Sequence, residues 1–171
     1  MTSADEFRRV LRHFASGVTI VTTRVDGKTH GMTVSAFTSV SAEPPLIAVV
    51  INKCCTLCSL MEKASGFAVN ILTREQQEFS ERFAFQCKED RFLMGDWTTV
   101  ATGAPLLRDA LAWLECRPVG RHPAGSHVIF IGAVEATRVN RPGEKPLIYW
   151  NREYWHPSHH PETIACWPDG S

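Results

Sequence analysis

Apolar positions along this chain repeat with two different periods, and the changes of period divide it into elements. Near the start, Phe7, Val10, Leu11 and Phe14 fall at i, i+3, i+4 and i+7. Such a stripe predicts an amphipathic helix that must lie on something, opened by Ser3-Ala-Asp-Glu6 as a capping box and ended by Gly17. Residues 18–25 are largely β-branched, Asp26-Gly27 is a hairpin turn, and 28–33 return as the second antiparallel strand. Strand-like composition continues over 36–40 until Pro44-Pro45 interrupts it. Leu-Ile-Ala-Val-Val-Ile at 46–51 has no polar alternation, which predicts a central strand covered on both faces.

Beyond a loop at Asn52 to Thr56, the residues Leu57, Leu60, Met61 and Ala64 form a short helical stripe that Gly66 stops. A strand is expected at 67–72. Thr73-Arg-Glu-Gln76 has the form of a second capping box, opening a helix with Phe79 and Phe83 on one face. Residues 84–105 show no regular period and are expected to be an ordered loop. Strands follow at 110–119 and 127–139, joined by a longer loop at Arg121 to Gly125, with a last strand at 146–150. The aromatic stripes of both helices, and Trp113, are expected in the core, whereas Trp150, Trp155 and Trp167 could pack across a dimer interface.

Strands dominate, most neighbour one another in sequence, and only three helices interrupt them. The pattern favours a mainly β fold, an antiparallel split β-barrel with Greek-key-like order and a few peripheral helices, over alternating βαβ units. One domain over 1–155 is expected, followed by a Pro- and His-rich tail over 156–171.

Composition narrows the function. Lys plus Arg and Asp plus Glu are both 18, so there is no net field for a polyanion, and nucleic acid is not an expected partner. The first residues carry no charged-then-apolar leader and no apolar run approaches the roughly 20 residues of a membrane helix, so a cytoplasmic protein is expected. Six cysteines are present. A chain of this size needs no staples, and the adjacent Cys54-Cys55 suits reduced thiols. Cys-Cys-x-x-Cys at 54–58 has no second pair at zinc spacing, so no metal is expected.

Candidate chemistry gathers between Gly31 and Ser59, where small hydroxyl residues, bare backbone and Lys53 sit at a strand-to-helix passage. Proteins hold anions at such places, and a phosphate-bearing cofactor is expected. None of the 11 glycines forms a Gly-x-Gly pair, and there is no Gly-x-x-x-x-Gly-Lys loop, so the two common phosphate loops are excluded.

Several segments taken in order resemble the short-chain flavin reductase family: Phe14-Ala-Ser-Gly-Val-Thr-Ile-Val-Thr-Thr23, Gly31-Met-Thr-Val-Ser-Ala-Phe-Thr-Ser-Val-Ser41, Phe67-Ala-Val-Asn-Ile71, Asp90-Arg-Phe92, Ala112-Trp-Leu-Glu-Cys116 and Gly125-Ser-His-Val-Ile-Phe-Ile-Gly132. The resemblance covers roughly residues 7–155. It implies a homodimeric split barrel that binds FMN or FAD, oxidises NADH or NADPH, and delivers reduced flavin to a separate monooxygenase. It places Thr33, Val34, Ser35 and Ala36, with Ser39 in the same run, at the flavin. It makes Asn52, Lys53, Cys54, Cys55 and Thr56 the phosphate loop, with Arg91 a further phosphate candidate. His127 is placed beside the nicotinamide, and Tyr149 and Arg152 in the segment that closes over the dinucleotide.

In the family that loop is usually rich in Ser and Thr where this chain has Cys54, Cys55 and Cys58. A thiol is a weaker donor than a hydroxyl, so loosely held, exchangeable flavin is one expectation. Simple packing of the cysteines at a helix start is the other. A flavin-holding protein for storage or electron transfer, without nicotinamide activity, is the alternative function.

Overall fold

The computed structural model describes residues 2–85 and 91–156. In chain order the elements are helix α1 (Ala4–Leu11), strands β1 (Ser16–Gly17), β2 (Thr19–Val25), β3 (Lys28–Val34), β4 (Phe37–Ala42) and β5 (Pro45–Asn52), and helix α2 (Thr56–Met61). Strand β6 (Phe67–Ile71), helix α3 (Gln77–Phe85), a 3-10 turn at Arg91–Leu93, and strands β7 (Trp97–Thr98), β8 (Leu106–Leu107), β9 (Ala112–Ala124), β10 (His127–Val139), β11 (Ile148–Trp150) and β12 (Glu153–Trp155) follow. The fold is mainly β, as the pattern predicts. Of the expected tail, all but His156 lies outside the described residues, as do Asp90 and Trp167.

Seven strands form one antiparallel sheet in the order β3-β2-β6-β9-β10-β5-β4. Its two edge strands, β3 and β4, are consecutive in the chain and joined only by Ser35 and Ala36. At ~4.8 Å per strand spacing the edges of a flat sheet of this width would stand nearly 30 Å apart. Two linking residues reach only about 11 Å. The sheet must therefore roll until its edges meet, and the rolled interior is filled by one apolar cluster. Val21, Val34, Val49, Ile51, Phe67, Val69, Val128 and Phe130 face inward from five strands, and Leu57, Cys58 and Met61 of α2 join them.

Three neighbour pairs in the sheet are hairpins: β2 with β3, β4 with β5, and β9 with β10. The other three, β2 with β6, β6 with β9, and β10 with β5, join strands distant in sequence. The Asp26-Gly27 turn is as expected, both residues having positive φ, 51° and 75°. Strand β5 lies between β10 and β4, one place in from the edge. Its Ile47, Ala48, Val49 and Ile51 are buried, but Leu46 and Val50 are only half covered.

Several expectations are corrected. The stripe of α1 is not in the core of the chain: Phe7, Val10, Leu11 and Phe14 are 56%, 68%, 51% and 76% exposed. The helix also stops at Leu11, well before Gly17. Its Ser3–Glu6 capping box is formed in both directions. Thr73, by contrast, does not cap α3; it forms a bridge with Pro146, and only Gln76 reaches back, its Oε1 accepting from the Thr73 amide at 3.0 Å. The loop expected at 121–125 is instead strand, because β9 pairs with β10 as far as Ala124 and a tight turn at Gly125-Ser126 suffices. Strand β11 leaves the large sheet and pairs with β1 and β12 in a separate three-stranded sheet. Phe83 and Trp113 are buried as expected.

Buried polar groups fix the outer segments. Glu115, fully buried, accepts from the amides of Ala101 and Thr102 at 2.7 and 2.6 Å and from the Thr102 hydroxyl at 2.8 Å. Asn70 accepts from the Leu107 amide at 2.8 Å and donates to the Ile20 carbonyl at 3.1 Å. Removing either side chain would strand buried donors, each costing about 1–3 kcal/mol.

Gly132 on β10 is required by close packing. A Cβ there would lie 2.5 Å from Cζ of Phe67 and 2.9 Å from Cβ of Cys116, both fully buried. Neither neighbour can yield without disturbing the core, so Gly132→Ala is expected to destabilise the fold by about 1–3 kcal/mol. Denaturant unfolding of the two proteins measures it; an unchanged midpoint would contradict this packing.

Candidate active site

The Ser35–Ala36 link that closes the roll is also the centre of the candidate site. Neither residue belongs to a strand ladder, both are exposed, and their amide N–H groups have no protein acceptor among the described residues. The carbonyls are used structurally: Phe37 N–H donates to Ser35 O and Val50 N–H to Ala36 O, each at 3.0 Å. Two donors are thus presented by backbone held rigidly between β3 and β5.

The second part of the site lies one step along β5. Val50 and Asn52 point to the same outer face, about 7 Å apart along the strand. Asn52 pairs with His127 of β10. Asn52 then turns the chain: its Oδ1 accepts from the Cys54 amide at 2.9 Å and its carbonyl from the Cys55 amide at 3.0 Å. Lys53 ties this loop to the β9–β10 turn, its amide donating to Ser126 O at 3.0 Å and its Nζ to Gly125 O at 2.6 Å. Ser126 Oγ lies 2.9 Å from Nδ1 of His127. That contact fixes the ring and leaves Nε2 for another partner.

On its other side the Ser35–Ala36 link walls two cavities. One, of about 460 Å³, lies between the end of α1 and the β11–β12 turn and includes Tyr149 and Arg152. The other, of about 240 Å³, is shared by Thr33, Ser35, Ser80, Tyr149, Arg152 and Tyr154. Ten of the expected site residues, Ser35, Ala36, Asn52, Lys53, Cys54, Cys55, Thr56, His127, Tyr149 and Arg152, thereby fall along one band that runs from the β9–β10 turn across the link to the β11–β12 hairpin.

The remaining four sit differently. The Val34 side chain is in the core, 4% exposed, so only its backbone faces outward. Thr33 donates its hydroxyl proton to Ser80 O of α3 at 2.6 Å. Arg91 donates from Nη1 to Gly31 O at 2.8 Å, anchoring the 3-10 turn to β3. Ser39 lies on the far part of β4, in a separate groove with Leu46 and Val134. Tyr154, whose hydroxyl is 2.8 Å from Ser80 Oγ, and Arg12, beside the larger cavity, carry no sequence signal that marks them as site residues.

The cysteines divide by burial. Cys58 packs in the core, where burial raises its thiol pKa above the ordinary value, and Cys116 is pushed up to about 12 by burial and by the neighbouring carboxylates of Glu115 and Glu135. Cys54 is exposed and Cys55 half-buried, and all four are free thiols. Packing therefore accounts for Cys58. Cys55 is the N-cap of α2 and makes no side-chain cap bond.

Comparison with known proteins gives the same class. Residues 11–157 match the family model described as flavin reductase like domain. The chain is 38% identical over 153 residues to the reductase component of an FADH(2)-dependent resorcinol hydroxylase from Rhizobium sp., covering 88% of this chain and 85% of that protein. It is 37% identical to the reductase component of 4-hydroxyphenylacetate 3-monooxygenase from Thermus thermophilus, covering 88% and 94%. Among solved structures, the Streptomyces globisporus NADH:FAD oxidoreductase SgcE6 in complex with NAD and FAD fragments superposes with a TM-score of 0.84 at 31% identity, covering 90% and 92%. The chain belongs to the flavin reductase-like family.

Cys55→Ser is expected to stabilise the protein by about 1 kcal/mol, because the backbone there already has N-cap geometry, φ −83° and ψ 141°, and a hydroxyl can accept from the first-turn amides of α2. Thermal melting of the variant checks this; an unchanged or lower midpoint would mean that the thiol is doing more than a cap could.

Proposed function

We propose that the chain is an NAD(P)H-dependent flavin reductase that passes hydride to FMN or FAD and supplies the reduced flavin to a separate monooxygenase. The observation that carries this is the Ser35–Ala36 link, two unpaired amide donors on fixed backbone beside two cavities, one strand step from Asn52 and His127. The relatives named as reductase components of monooxygenases support the same reading.

The donor set suits a flavin. An isoalloxazine has acceptors along one edge, and the Ser35 and Ala36 amides with the Ser35 hydroxyl supply donors for them. When bound, nicotinamide supplies the hydride and flavin accepts it, which leaves negative charge on the ring. Fixed backbone donors stabilise that charge without reorganising. The Asn52–Thr56 loop would hold the phosphate, with Lys53 keeping two ammonium protons beyond the one given to Gly125. His127, oriented through Nδ1 by Ser126, would offer Nε2 to the nicotinamide carboxamide or ribose. It positions the dinucleotide; hydride transfer asks no proton of the protein. Thr33, Val34 and Arg91 would act through the backbone they brace, and Tyr149 and Arg152 would close over the dinucleotide.

The working unit is proposed to be a homodimer. Helix α1 is held to the body by Asn151 N–H donating to Arg12 O at 3.0 Å and Trp150 Nε1 donating to His13 O at 3.3 Å. Its four large apolar side chains are left exposed by the described residues. Leu11 and Phe14 also border the larger cavity, so a second copy would cover Phe7 and Val10 first, each burial contributing about 1.5–3 kcal/mol.

With FMN or FAD and NADH or NADPH, the protein is expected to consume the nicotinamide absorbance band only when flavin is present. His127→Ala should lower kcat/KM for the dinucleotide about tenfold, roughly 1.4 kcal/mol, while changing flavin affinity far less. Flavin binding without oxidation of either dinucleotide would instead leave a flavin-holding protein. Light scattering should give a dimer, and replacing Phe7 and Val10 together by Ser should shift it towards monomer; a monomeric parent protein would refute the assembly.

A further inference from the structure

Three arginines meet at the larger cavity although the whole chain is neutral. Arg8 and Arg12 reach it from α1 and Arg152 from the β11–β12 turn, and no acidic side chain lines it. Arg8 is paired with Asp5 at 2.8 Å. The guanidinium groups of Arg12 and Arg152 have no carboxylate or carbonyl partner among the described residues.

Arg152 is also held where its backbone is disfavoured. Asn151 and Arg152 have φ of 50° and 69°, almost the values of Asp26 and Gly27, 51° and 75°, in the β2–β3 turn. A two-residue hairpin turn of this kind takes glycine at its second place readily, and a longer side chain there is strained. Arginine therefore occupies a position where glycine would be more stable. An outlier of this sort in the lining of a cavity points to a ligand for the side chain.

We infer that this cavity seats the adenosine 2′-phosphate of NADPH, with Arg12 and Arg152 as the residues that bind it and thereby select NADPH over NADH. The inference rests on reading the chain as an NAD(P)H:flavin oxidoreductase. A terminal phosphate monoester carries about −1.5 to −2 charges at neutral pH and offers three acceptor oxygens. Two guanidinium groups that line one cavity, without a carboxylate or carbonyl partner among the described residues, match it, each able to give two parallel hydrogen bonds. The pyrophosphate is the less suitable occupant, because each of its phosphorus centres is a diester with a single charge and two free oxygens. Tyr149 and Trp150 stand in the same cavity wall, and aromatic faces there give the adenine a stacking surface. The cavity abuts Ser35 and Ala36, so a dinucleotide seated by its phosphate end has the flavin position within reach.

Calorimetry on the full chain, with adenosine 2′,5′-bisphosphate and adenosine 5′-monophosphate as probes, separates this subsite from catalysis. The bisphosphate should bind at least about tenfold more tightly, and Arg12→Gln or Arg152→Gly should each remove most of that difference. Arg152→Gly should melt no earlier than the parent protein, so a folding defect will not imitate the loss. In turnover the NADPH-to-NADH ratio of kcat/KM should fall about tenfold or more in both variants. Equal binding of the two probes, or a preference that survives both substitutions, overturns the inference. Preference for the bisphosphate without any flavin-dependent NADPH oxidation supports the subsite and sinks the reductase reading. Equal use of NADH and NADPH without discrimination between the probes sinks the subsite and leaves the reductase reading intact.

Discussion

The structure depends on a length constraint: two residues, Ser35 and Ala36, connect the two edges of a seven-stranded sheet. Hydrogen-bonded strands cannot be brought closer than their fixed spacing, so the only way to satisfy the link is to roll the sheet. Rolling puts Val34, Val49, Ile51, Phe67 and Phe130 into one dry interior and leaves the link itself outside, its carbonyls used and its amides unpaired. The feature that closes the fold is therefore the feature proposed to meet the flavin. Stability and chemistry share one short piece of backbone.

Around that seam, rigidity comes from polar groups that can make their bonds in only one way. Glu115 and Asn70 are inaccessible to water, and each holds a loop that would otherwise lie loosely on the sheet. Misplacing either loop would leave a charge or an amide buried without partners, a larger penalty than the loss of an exposed hydrogen bond. Lys53 and Ser126 do comparable work at the surface, locking the Asn52 loop and His127 to the same hairpin turn. Thr33 donates to α3 and Arg91 of the 3-10 turn donates to Gly31, so both brace β3 just before the link. Residues that brace the link and residues that line its cavities thus alternate within a few positions of each other.

Helix α1 shows the opposite balance. Its capping box is complete and its apolar stripe is regular, yet the described residues offer no surface that covers it. A stripe of this size in water is unfavourable, which is why assembly with a second copy is proposed to complete the fold. The same helix carries Arg8 and Arg12 to the cavity on its flank, so assembly and ligand selection would bear on one element.

Local pattern was enough for whatever local energetics decide. Period-two runs gave the strands of each hairpin, Asp26-Gly27 gave its turn, and Ser3 and Glu6 gave the first cap, because each depends on residues within a few positions. The motifs also carried the family and the band from Asn52 to Ser35. What they could not carry was pairing between distant strands: β2 with β6, β6 with β9 and β10 with β5 follow from how the sheet rolls, and a side-chain period contains no partner. For the same reason Thr73 reads as a helix cap until its bridge to Pro146 is seen, and only the roll shows that the Val34 side chain packs in the core while its backbone faces outward. Arg12 and Arg152 stand 140 positions apart. Only the docking of α1 against the β11–β12 turn brings their charges to one cavity, and only the backbone angle at Arg152 shows that its place was better suited to glycine.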